Sequence, residues 1–474
     1  MYHLRLSKFK REIKKGVSVV TAITLAVGSM SFFDFTSVAV RGETKQDTYA
    51  ESRTYAFGAD KDVNKSTVFD SAKGYGFSDV TYDEEAKGWQ DHRYYPREAK
   101  ITQGASDFVT DAEDYLKINS KIWTETESTG YGVYTYEDTS TLDFNLENAD
   151  YTVTVELVNP TENDLTVALE AEDITKVSDI SVGAGKTMKK SYTACLTDGT
   201  LNLKFLEPST ATSVTTEADA SEKSVYVSSV TLQKQAVRPA GEKPTVFIAS
   251  DSTVQSYDSY YYPQTGWGQV LYKFFAGSEN TQEESCADCN YSQAKTYETD
   301  SAIIENRAIG GRSSKSFVEE GKLDDLLEDV KTGDYVLVQW GHNDATYVRP
   351  NRYVGTDEFA DWIQKYIDGV KQRGGTPILV TPVARYSYNA DGTFNISFNE
   401  YRQIMLQMGA EQNVPVLDLG KESSALCEQF GIEGSKSLFL QLAAGDYPDG
   451  AYAGGASDAT HLQYYGAYKF AQIV

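Results

Sequence analysis

The spacing of hydrophobic residues changes near residue 240, and this change limits the possible folds more than any other feature of the chain. Residues 45–236 contain runs such as TLDFNL and YTVTVELV, in which apolar and polar residues alternate. A period of two is typical of strands with one buried face, and clusters of Asn, Asp, Gly and Pro separate the runs. We therefore predict an antiparallel β-sandwich over residues 45–236.

After Pro244, short apolar runs alternate with amphipathic helical patterns such as FADWIQKYIDGVKQ. This alternation predicts a three-layer α/β/α domain over residues 244–474, with a five-stranded parallel sheet in the flavodoxin-like order 2-1-3-4-5. The polar segment 237–243, which includes Pro239, is the predicted linker. The sequence ends at Val474 within the expected last helix, which allows for further chain beyond it.

The first 41 residues have the order of a secretory signal peptide. Six basic residues precede the apolar run GVSVVTAITLAVGSMSFF, and small residues follow at 37–39. This order predicts a cleaved signal peptide over residues 1–41 and a secreted, extracellular protein, with cell-surface association left open. The alternative is an uncleaved membrane anchor, although Thr, Gly and Ser interrupt the run. No later segment is long and apolar enough to span a membrane.

The charge and the cysteine content exclude several classes of partner. Residues 1–41 carry seven Lys and Arg against two acidic residues, so the remainder has a net charge of −30 rather than −25. A chain this acidic repels polyphosphate, so we expect no nucleic-acid partner. Cys286 and Cys289 have the spacing of half a zinc site, but no second pair completes it. A small loop disulfide and two free thiols remain open for this pair.

Polar residues follow the first three predicted strands of the second domain. Ser252 comes after the run at 245–249, Gly311 after the second strand and Asn343 after the third. If the strand order is 2-1-3-4-5, these strands are neighbours and their carboxyl ends meet at one edge of the sheet. Taken alone, the hydroxyl-rich segment that contains Ser252 favours a helix cap over a nucleophile.

Together these residues provide what acyl transfer needs. Serine is a nucleophile only when a base removes its proton, and the tetrahedral intermediate needs preorganised hydrogen-bond donors. We predict Ser252 as nucleophile and His461, oriented by Asp458 three residues earlier, as base. The N–H groups of Ser252 and Gly311 and the side-chain amide of Asn343 would bind the oxyanion. The chain has neither a G-x-S-x-G nor an H-E-x-x-H motif.

Four blocks, in order, resemble the SGNH (GDSL-type) hydrolase superfamily, and within it the rhamnogalacturonan acetylesterase group of carbohydrate esterases (family 12 type). The blocks are SDSTV, NRAIGGRSSKSF, GHND and DATH, with GWGQ at 266–269 as a further match. The resemblance covers about 230 residues from Pro244. It implies the SGNH hydrolase fold, a catalytic triad of Ser252, Asp458 and His461, and no metal or other cofactor. One departure is Ser250, where the family usually has Gly.

The resemblance also implies a substrate and a binding site. The expected partner is an acetylated plant cell-wall polysaccharide of the rhamnogalacturonan (pectin) type, which loses its O-acetyl groups. His342, Arg312 and Trp267 are the predicted substrate-binding residues. The β-sandwich resembles the galactose-binding-like domains that often precede such esterases. The alternatives are an acetyl xylan esterase, a lipid esterase of the same superfamily and a non-catalytic glycan-binding protein.

Overall fold

Antiparallel strands build the N-terminal part of the molecule. The computed structural model describes residues 52–83, 87–90, 93–208, 217, 220–286, 289 and 291–474, so the predicted signal peptide lies outside the described residues. The strands are β1 (Arg53–Ala56), β2 (Tyr75–Asp83), β3 (Gly88–Gln90), β4 (Arg93–Tyr95), β5 (Glu98–Thr102), β6 (Val109–Asp111), β7 (Leu116–Thr126), β8 (Val133–Asn145), β9 (Asp150–Val158), β10 (Leu165–Ala171), β11 (Ile174–Val182), β12 (Thr187–Cys195), β13 (Thr200–Leu206) and β14 (Lys223–Lys234).

Hydrogen bonds join twelve of these strands into one sheet whose strands pair antiparallel as predicted, while the sandwich arrangement stays a prediction. The main path is β11-β10-β13-β8-β7-β14-β9-β12, with β1, β2, β5 and β6 attached to it. The long strand β8 provides the continuity, because Val133–Thr139 pairs with β7 and residues 142–145 pair with β13. Alternation in the sequence shows which face of a strand is buried. It does not show which strands share hydrogen bonds.

The buried side chains of these strands form one hydrophobic core, in keeping with the alternation of apolar and polar residues. Buried side chains from β2, β8, β9 and β13, including Phe77, Leu142, Val153 and Leu203, belong to one cluster. Each of these four side chains is fully buried. Removal of such surface from water is the main stabilising contribution to a β-rich fold.

Strands and helices alternate in the C-terminal part. The strands are β15 (Thr245–Ala249), β16 (Glu283–Ser285), β17 (Lys295–Glu298), β18 (Ile303–Asn306), β19 (Tyr335–Val338), β20 (Thr376–Val380), β21 (Val416–Leu417), β22 (Phe439–Leu442) and β23 (Ala456–Leu462). The helices are α1 (Trp267–Val270), α2 (Ser314–Glu319), α3 (Lys322–Asp329), α4 (Phe359–Gln372), α5 (Asn399–Gln412), α6 (Leu419–Ser435) and α7 (Tyr464–Ala471). No helix in the described ranges reaches the length and apolar character needed to cross a membrane.

The main sheet here is mixed and has seven strands in the order β16-β17-β18-β15-β19-β20-β21. The strands from β18 to β21 along this order pair in parallel, which is the order 2-1-3-4-5 for the five predicted strands. The prediction of a purely parallel, five-stranded sheet is wrong, because β16 and β17 add at one edge in antiparallel orientation. These strands have only three and four residues, too few for a period of two to be recognised in sequence.

Helices cover both faces of this sheet. In β15, Phe247 and Ala249 belong to one hydrophobic cluster, together with side chains of α2 to α5. Val246 and Ile248, which point to the opposite face, belong to a second cluster with side chains of α1, α6 and α7. Parallel strands buried on both faces read as continuous apolar runs, and VFIA in β15 has this character.

The cysteine pair between β16 and β17 forms a disulfide. Cys286 and Cys289 are joined by an S–S bond, while Cys195 and Cys427 are free and buried. Of the two alternatives left open by the sequence, the structure has the disulfide. The carboxylate of Glu305 lies nearby, but sulfurs bonded to each other do not provide thiolate ligands for a metal.

Charged side chains connect the two parts of the molecule, which belong to one compact unit over Glu51–Val474. Asp150 in β9 accepts hydrogen bonds from Arg373 after α4 and, at 2.9 Å, from Arg238 between β14 and β15. The side chains of Asp150 and Arg373 are 6% and 4% exposed. A buried arginine is tolerated in this position because its carboxylate partner is buried with it.

We predict that Asp150→Ala lowers the free energy of unfolding by about 3–5 kcal/mol, because it leaves Arg373 buried without its carboxylate. Urea denaturation followed by circular dichroism measures the change. The control is Asp114→Ala, whose carboxylate is 76% exposed and lies 3.2 Å from Lys61. We expect that variant to change stability by less than about 1 kcal/mol. Equal losses in the two variants would contradict the prediction.

Candidate active site

Ser252 lies in a tight turn at the carboxyl end of β15. The preceding residue, Asp251, is fully buried, and its Oδ1 accepts hydrogen bonds from the N–H of Thr253 at 2.9 Å and from the Thr253 hydroxyl at 2.8 Å. The hydroxyl of Tyr257 donates to the carbonyl of Ser252 at 2.7 Å. Asp favours such turns because its side chain bonds the backbone two residues on. The helix-cap interpretation is wrong, because the next helical turn begins only at Ser259.

His461 and Asp458 reach this turn from β23, 209 residues further along the chain. The Nε2 atom of His461 is 2.8 Å from Ser252 Oγ, and its Nδ1 atom is 2.6 Å from Asp458 Oδ2. The other oxygen, Asp458 Oδ1, accepts the backbone N–H groups of Thr460 at 2.7 Å and His461 at 3.1 Å. Carboxylate, imidazole and hydroxyl therefore form one continuous chain of hydrogen bonds.

The surroundings of Asp458 keep its carboxyl group ionised. Burial by itself raises the pKa of Asp458, but the hydrogen bond and the charge of His461 outweigh it, together with the two backbone N–H groups. The net result is a pKa well below the usual value. An ionised carboxylate at Nδ1 fixes the ring so that a proton stays on Nδ1 and Nε2 faces the serine as an acceptor.

Backbone N–H groups are available next to Ser252. Within the described ranges, the N–H groups of Ser252 and Gly311 have no hydrogen-bond acceptor. Gly311 has φ +80°, in the region that favours glycine. The close approach occurs at Gly310, where a Cβ atom would lie 3.4 Å from the Cβ of Ser252 and 3.0 Å from Gln255 Oε1. The two glycines therefore allow the loop after β18 to pass directly beside Ser252.

Asn343 and Asp344 hold the loop after β19 against the loop after β18. Asn343 Nδ2 donates to the carbonyl of Arg312 at 2.7 Å. Asp344 is fully buried and accepts hydrogen bonds from Ser314 N at 3.0 Å and from Gly341 N at 2.9 Å. Burial raises the pKa of Asp344 to about 6, although these hydrogen bonds act in the opposite direction. No role for Asp344 was predicted from the sequence, although its place in the GHND block was the available signal.

Gln339, which follows β19, connects the turn that contains Ser252 (the nucleophile turn) to the core. Its carbonyl accepts the Ser250 hydroxyl at 2.8 Å, and its Nε2 donates to Thr253 Oγ1 at 2.9 Å. Ser250, the departure from the family pattern, is thus accommodated as a buried hydrogen-bond donor. No pattern in the sequence marks Gln339, because its role depends on contacts with residues more than 80 positions away.

Two of the three predicted substrate-binding residues are engaged with the protein itself. The prediction for Trp267 is wrong, because its side chain is fully buried and donates from Nε1 to Gln339 Oε1 at 3.0 Å. It packs in one buried cluster with Val254, Val270 and Leu271, so the residue serves the core. Arg312 donates from Nε to Glu320 at 2.9 Å and from Nη1 to the carbonyl of Gly310 at 3.1 Å.

The third residue, His342, is 8% exposed and lies between the nucleophile turn and Phe398. Its Nδ1 atom is 3.7 Å from Asp251 Oδ2. Burial lowers the pKa of His342, although the nearby Asp251 opposes this shift. The ring is therefore neutral at pH 7.

Comparisons with known proteins show what this chain is similar to. Residues 258–463 match the GDSL-like lipase/acylhydrolase family. The rhamnogalacturonan acetylesterase RhgT of Bacillus subtilis strain 168 is 32% identical over 229 residues, 48% of this chain and 87% of that protein. YesY of the same organism, named as a probable rhamnogalacturonan acetylesterase, is 36% identical over 231 residues, 48% of this chain and 89% of that protein. The crystal structure of YxiM from Bacillus subtilis aligns with 89% of this chain and 96% of that one, at a TM-score of 0.39 and 21% identity.

The resemblance found in the sequence is thereby confirmed for the C-terminal part, while the galactose-binding-like character of the N-terminal part stays a prediction. The two acetylesterase relatives share more than 30% of their residues with this chain over nearly their whole length. On this basis the chain belongs to the GDSL-like lipase/acylhydrolase family, and with it to the serine-type esterases of the SGNH superfamily.

Proposed function

We propose that this protein is a secreted carbohydrate esterase that removes O-acetyl groups from a plant cell-wall polysaccharide of the rhamnogalacturonan type. The observation that carries the proposal is the chain of hydrogen bonds from Asp458 through His461 to Ser252. The names of the two relatives, one a rhamnogalacturonan acetylesterase and the other a probable one, support the acetyl group and the polymer. Secretion follows from the signal-peptide pattern of residues 1–41.

Acylation begins when His461 Nε2 accepts the proton of Ser252 Oγ as this oxygen attacks the acetyl carbonyl. The carbonyl oxygen becomes an oxyanion, which the N–H groups of Ser252 and Gly311 and the amide of Asn343 stabilise. Asp458 stabilises the imidazolium that forms. The intermediate collapses when His461 returns its proton to the sugar oxygen, which leaves as a free hydroxyl group. The acetyl group is now an ester of Ser252.

Deacylation repeats these steps with water. His461 removes a proton from a water molecule, whose oxygen attacks the acetyl carbonyl of the acyl-enzyme. The second tetrahedral intermediate collapses, the proton returns to Ser252 Oγ, and acetate leaves. Each step moves only protons and acyl groups, so the cycle needs no redox cofactor.

The proposed organisation comprises a signal peptide (1–41), a β-rich domain (45–236), a linker (237–243) and the esterase domain (244–474). The acidic net charge of the mature chain argues against nucleic acid as a partner. Acetylated xylan is the second candidate substrate, since an acetylated sugar hydroxyl undergoes the same chemistry in either polymer.

The test of this function is acetate release from two polymers, acetylated rhamnogalacturonan and acetylated xylan. We expect release from both to depend on enzyme concentration, with a higher kcat/KM for rhamnogalacturonan. Faster release from xylan would assign the protein to the acetyl xylan esterases. Binding of either polymer without any release would favour the non-catalytic glycan-binding alternative.

Asn343→Ala is expected to lower kcat by about 10²- to 10³-fold with little change in KM, because it removes one donor to the oxyanion. Steady-state acetate release measures both constants. Asn389→Ala is the control, since its amide donates at 2.9 Å to Thr393 in an exposed turn and we expect its kcat to be unchanged. The prediction fails if Asn343→Ala keeps kcat within about twofold of the wild type.

A further inference from the structure

Two arginines next to the candidate active site have no carboxylate partner among the residues that the structure describes. Arg352 donates from Nη1 to the carbonyl of Gly311 at 3.2 Å, and its Nε is buried without a hydrogen-bond partner in the described part of the chain. Arg349 lies on the same loop, and its carbonyl accepts the N–H of Arg352 at 3.1 Å. The loop thus brings the guanidinium group of Arg352 beside Gly311, and Arg349 lies close enough for its charge to act on Arg352.

Arg352 is half-buried and Arg349 is exposed, whereas the arginines that are almost fully buried in the described ranges have acidic partners. Arg307 is paired with Glu305 and Asp329, and Arg402 with Asp418. Arg352 has no such ion pair: burial, followed by the charge of Arg349, lowers its pKa, although the charges of Asp251 and Asp344 act in the opposite direction. The chain has 69 acidic and 44 basic residues, so carboxylates are abundant. Two adjacent arginines without a carboxylate partner are typical of a site that binds an anionic ligand.

The N-terminal part of the molecule holds this loop in place. Tyr131 lies at the tip of the turn between β7 and β8, and the guanidinium carbon of Arg349 is 4.5 Å from the centre of its ring. At the next position, a Cβ on Gly132 would lie 3.0 Å from Pro350 Cγ, so the tip touches the loop directly. Glu127 fixes the turn by accepting the N–H of Tyr131 at 2.8 Å.

A second contact holds the far end of the loop. Arg93 in β4 donates from Nη2 to both carboxylate oxygens of Glu358 at 2.8 Å, and its guanidinium carbon is 5.5 Å from the centre of the Tyr353 ring. The loop that carries Arg349 and Arg352 is therefore anchored on the N-terminal strands at two places. A cation stacked on an aromatic ring is oriented while its N–H groups stay available for a ligand.

We infer that Arg349 and Arg352 form an anion-binding subsite of the esterase, which receives the carboxylate of a uronic acid residue next to the acetylated sugar. Tyr131 is the positioning residue for Arg349. Guanidinium groups suit this task because their planar N–H pairs match the two oxygens of a carboxylate. The inference rests on the proposed function, since it names the charged sugar that the polymer carries. It also makes the N-terminal strands part of the substrate site.

Binding tests the subsite independently of catalysis. Isothermal titration calorimetry with an unacetylated oligogalacturonate is performed on the Ser252→Ala protein, with and without Arg349→Gln and Arg352→Gln. We expect the two arginine changes together to weaken binding by about 10- to 100-fold, and the remaining affinity to respond less to salt. The control is Arg53→Gln, which removes an arginine that also lies 4.5 Å from a tyrosine ring, that of Tyr55. We expect the control to bind like the parent protein.

Two results would overturn the inference: no measurable binding of oligogalacturonate by the parent, or equal binding by the parent and the double variant. Neither result concerns acetate release, so failure of the subsite is distinguishable from failure of the esterase assignment. In the catalytic assay, we expect the double variant to lose at least about tenfold more kcat/KM on acetylated rhamnogalacturonan than on an acetylated xylo-oligosaccharide without uronic acid. Equal losses on the two substrates count against the subsite.

Tyr131 is tested by rescue. Tyr131→Ala removes the ring under Arg349, and we expect it to raise KM for acetylated rhamnogalacturonan while kcat changes little. Tyr131→Phe retains the ring face and is expected to restore KM, because the cation–π contact does not need the hydroxyl. If the Phe variant behaves like the Ala variant, Tyr131 does not act by positioning Arg349.

Discussion

Ser252→Ala is expected to reduce kcat for acetate release by about 10³-fold or more, as in other triads that lose their nucleophile. The reason is geometric: Ser252 Oγ is the oxygen that lies 2.8 Å from the imidazole Nε2 of His461. Removing it leaves the base without a nucleophile to activate. Initial rates on acetylated rhamnogalacturonan, compared at equal protein concentration, measure the loss.

The control for this variant is Ser437→Ala, whose hydroxyl donates at 2.7 Å to the carbonyl of Gly434 on an exposed turn. It removes the same chemical group from a residue that makes no hydrogen bond to the triad, and we expect wild-type rates. Mass spectrometry after rapid quenching gives a second readout, since the wild-type protein should carry an acetyl group on Ser252. Retention of acetate release by the Ser252→Ala protein would exclude this serine as the nucleophile.

Asp458→Asn is expected to lower kcat by about 10³- to 10⁴-fold while the fold is retained. The amide can keep accepting the N–H groups of Thr460 and His461, but its NH₂ group then faces Nδ1 of the ring. This favours the tautomer with the proton on Nε2, which has no lone pair for the proton of Ser252. The kcat of the variant relative to wild type, with circular dichroism as a check on folding, measures the effect.

Asp391→Asn is a matched control, because Asp391 accepts the N–H of the residue two positions on, Thr393, at 3.0 Å, but has no histidine partner. We expect it to leave kcat unchanged.

The lowered pKa of Asp458 also makes its contribution to stability depend on pH. The stabilisation that its ionised form provides is present above the unfolded-state pKa, about 3.9, and is lost only as the pH falls towards the lower folded-state value. A wild-type kcat for Asp458→Asn would contradict the assigned role.

The chemistry of the site was accessible from the sequence because it depends on residue types at strand ends. A short apolar run followed by Asp-Ser, a Gly-Gly pair and an Asn-Asp pair shows where functional groups leave a parallel sheet. The Asp-x-x-His spacing likewise shows that Asp458 is within reach of the ring three residues later. Such local relations span only a few residues, so periodicity and spacing are sufficient to predict them.

The sequence could not predict that Trp267 is buried or how many strands each sheet contains. Trp267 stands in a block that resembles the family, and only the packing of α1 against the sheet shows that it is fully buried. Strands β16 and β17 are too short for a detectable period and become strands only by pairing at the edge of β18. The same holds for the single N-terminal sheet, whose continuity depends on pairs between distant strands.

By itself, the sequence determined which residues have the chemistry for acyl transfer, since hydroxyl, imidazole and carboxylate groups are properties of single side chains. The tertiary structure alone decided that Ser252 and His461 lie within hydrogen-bonding distance across 209 residues of chain. It alone also placed Tyr131 under Arg349. Both contacts join segments that are far apart in the chain. Their geometry is set by how sheets and helices pack over both cores, which no local pattern encodes.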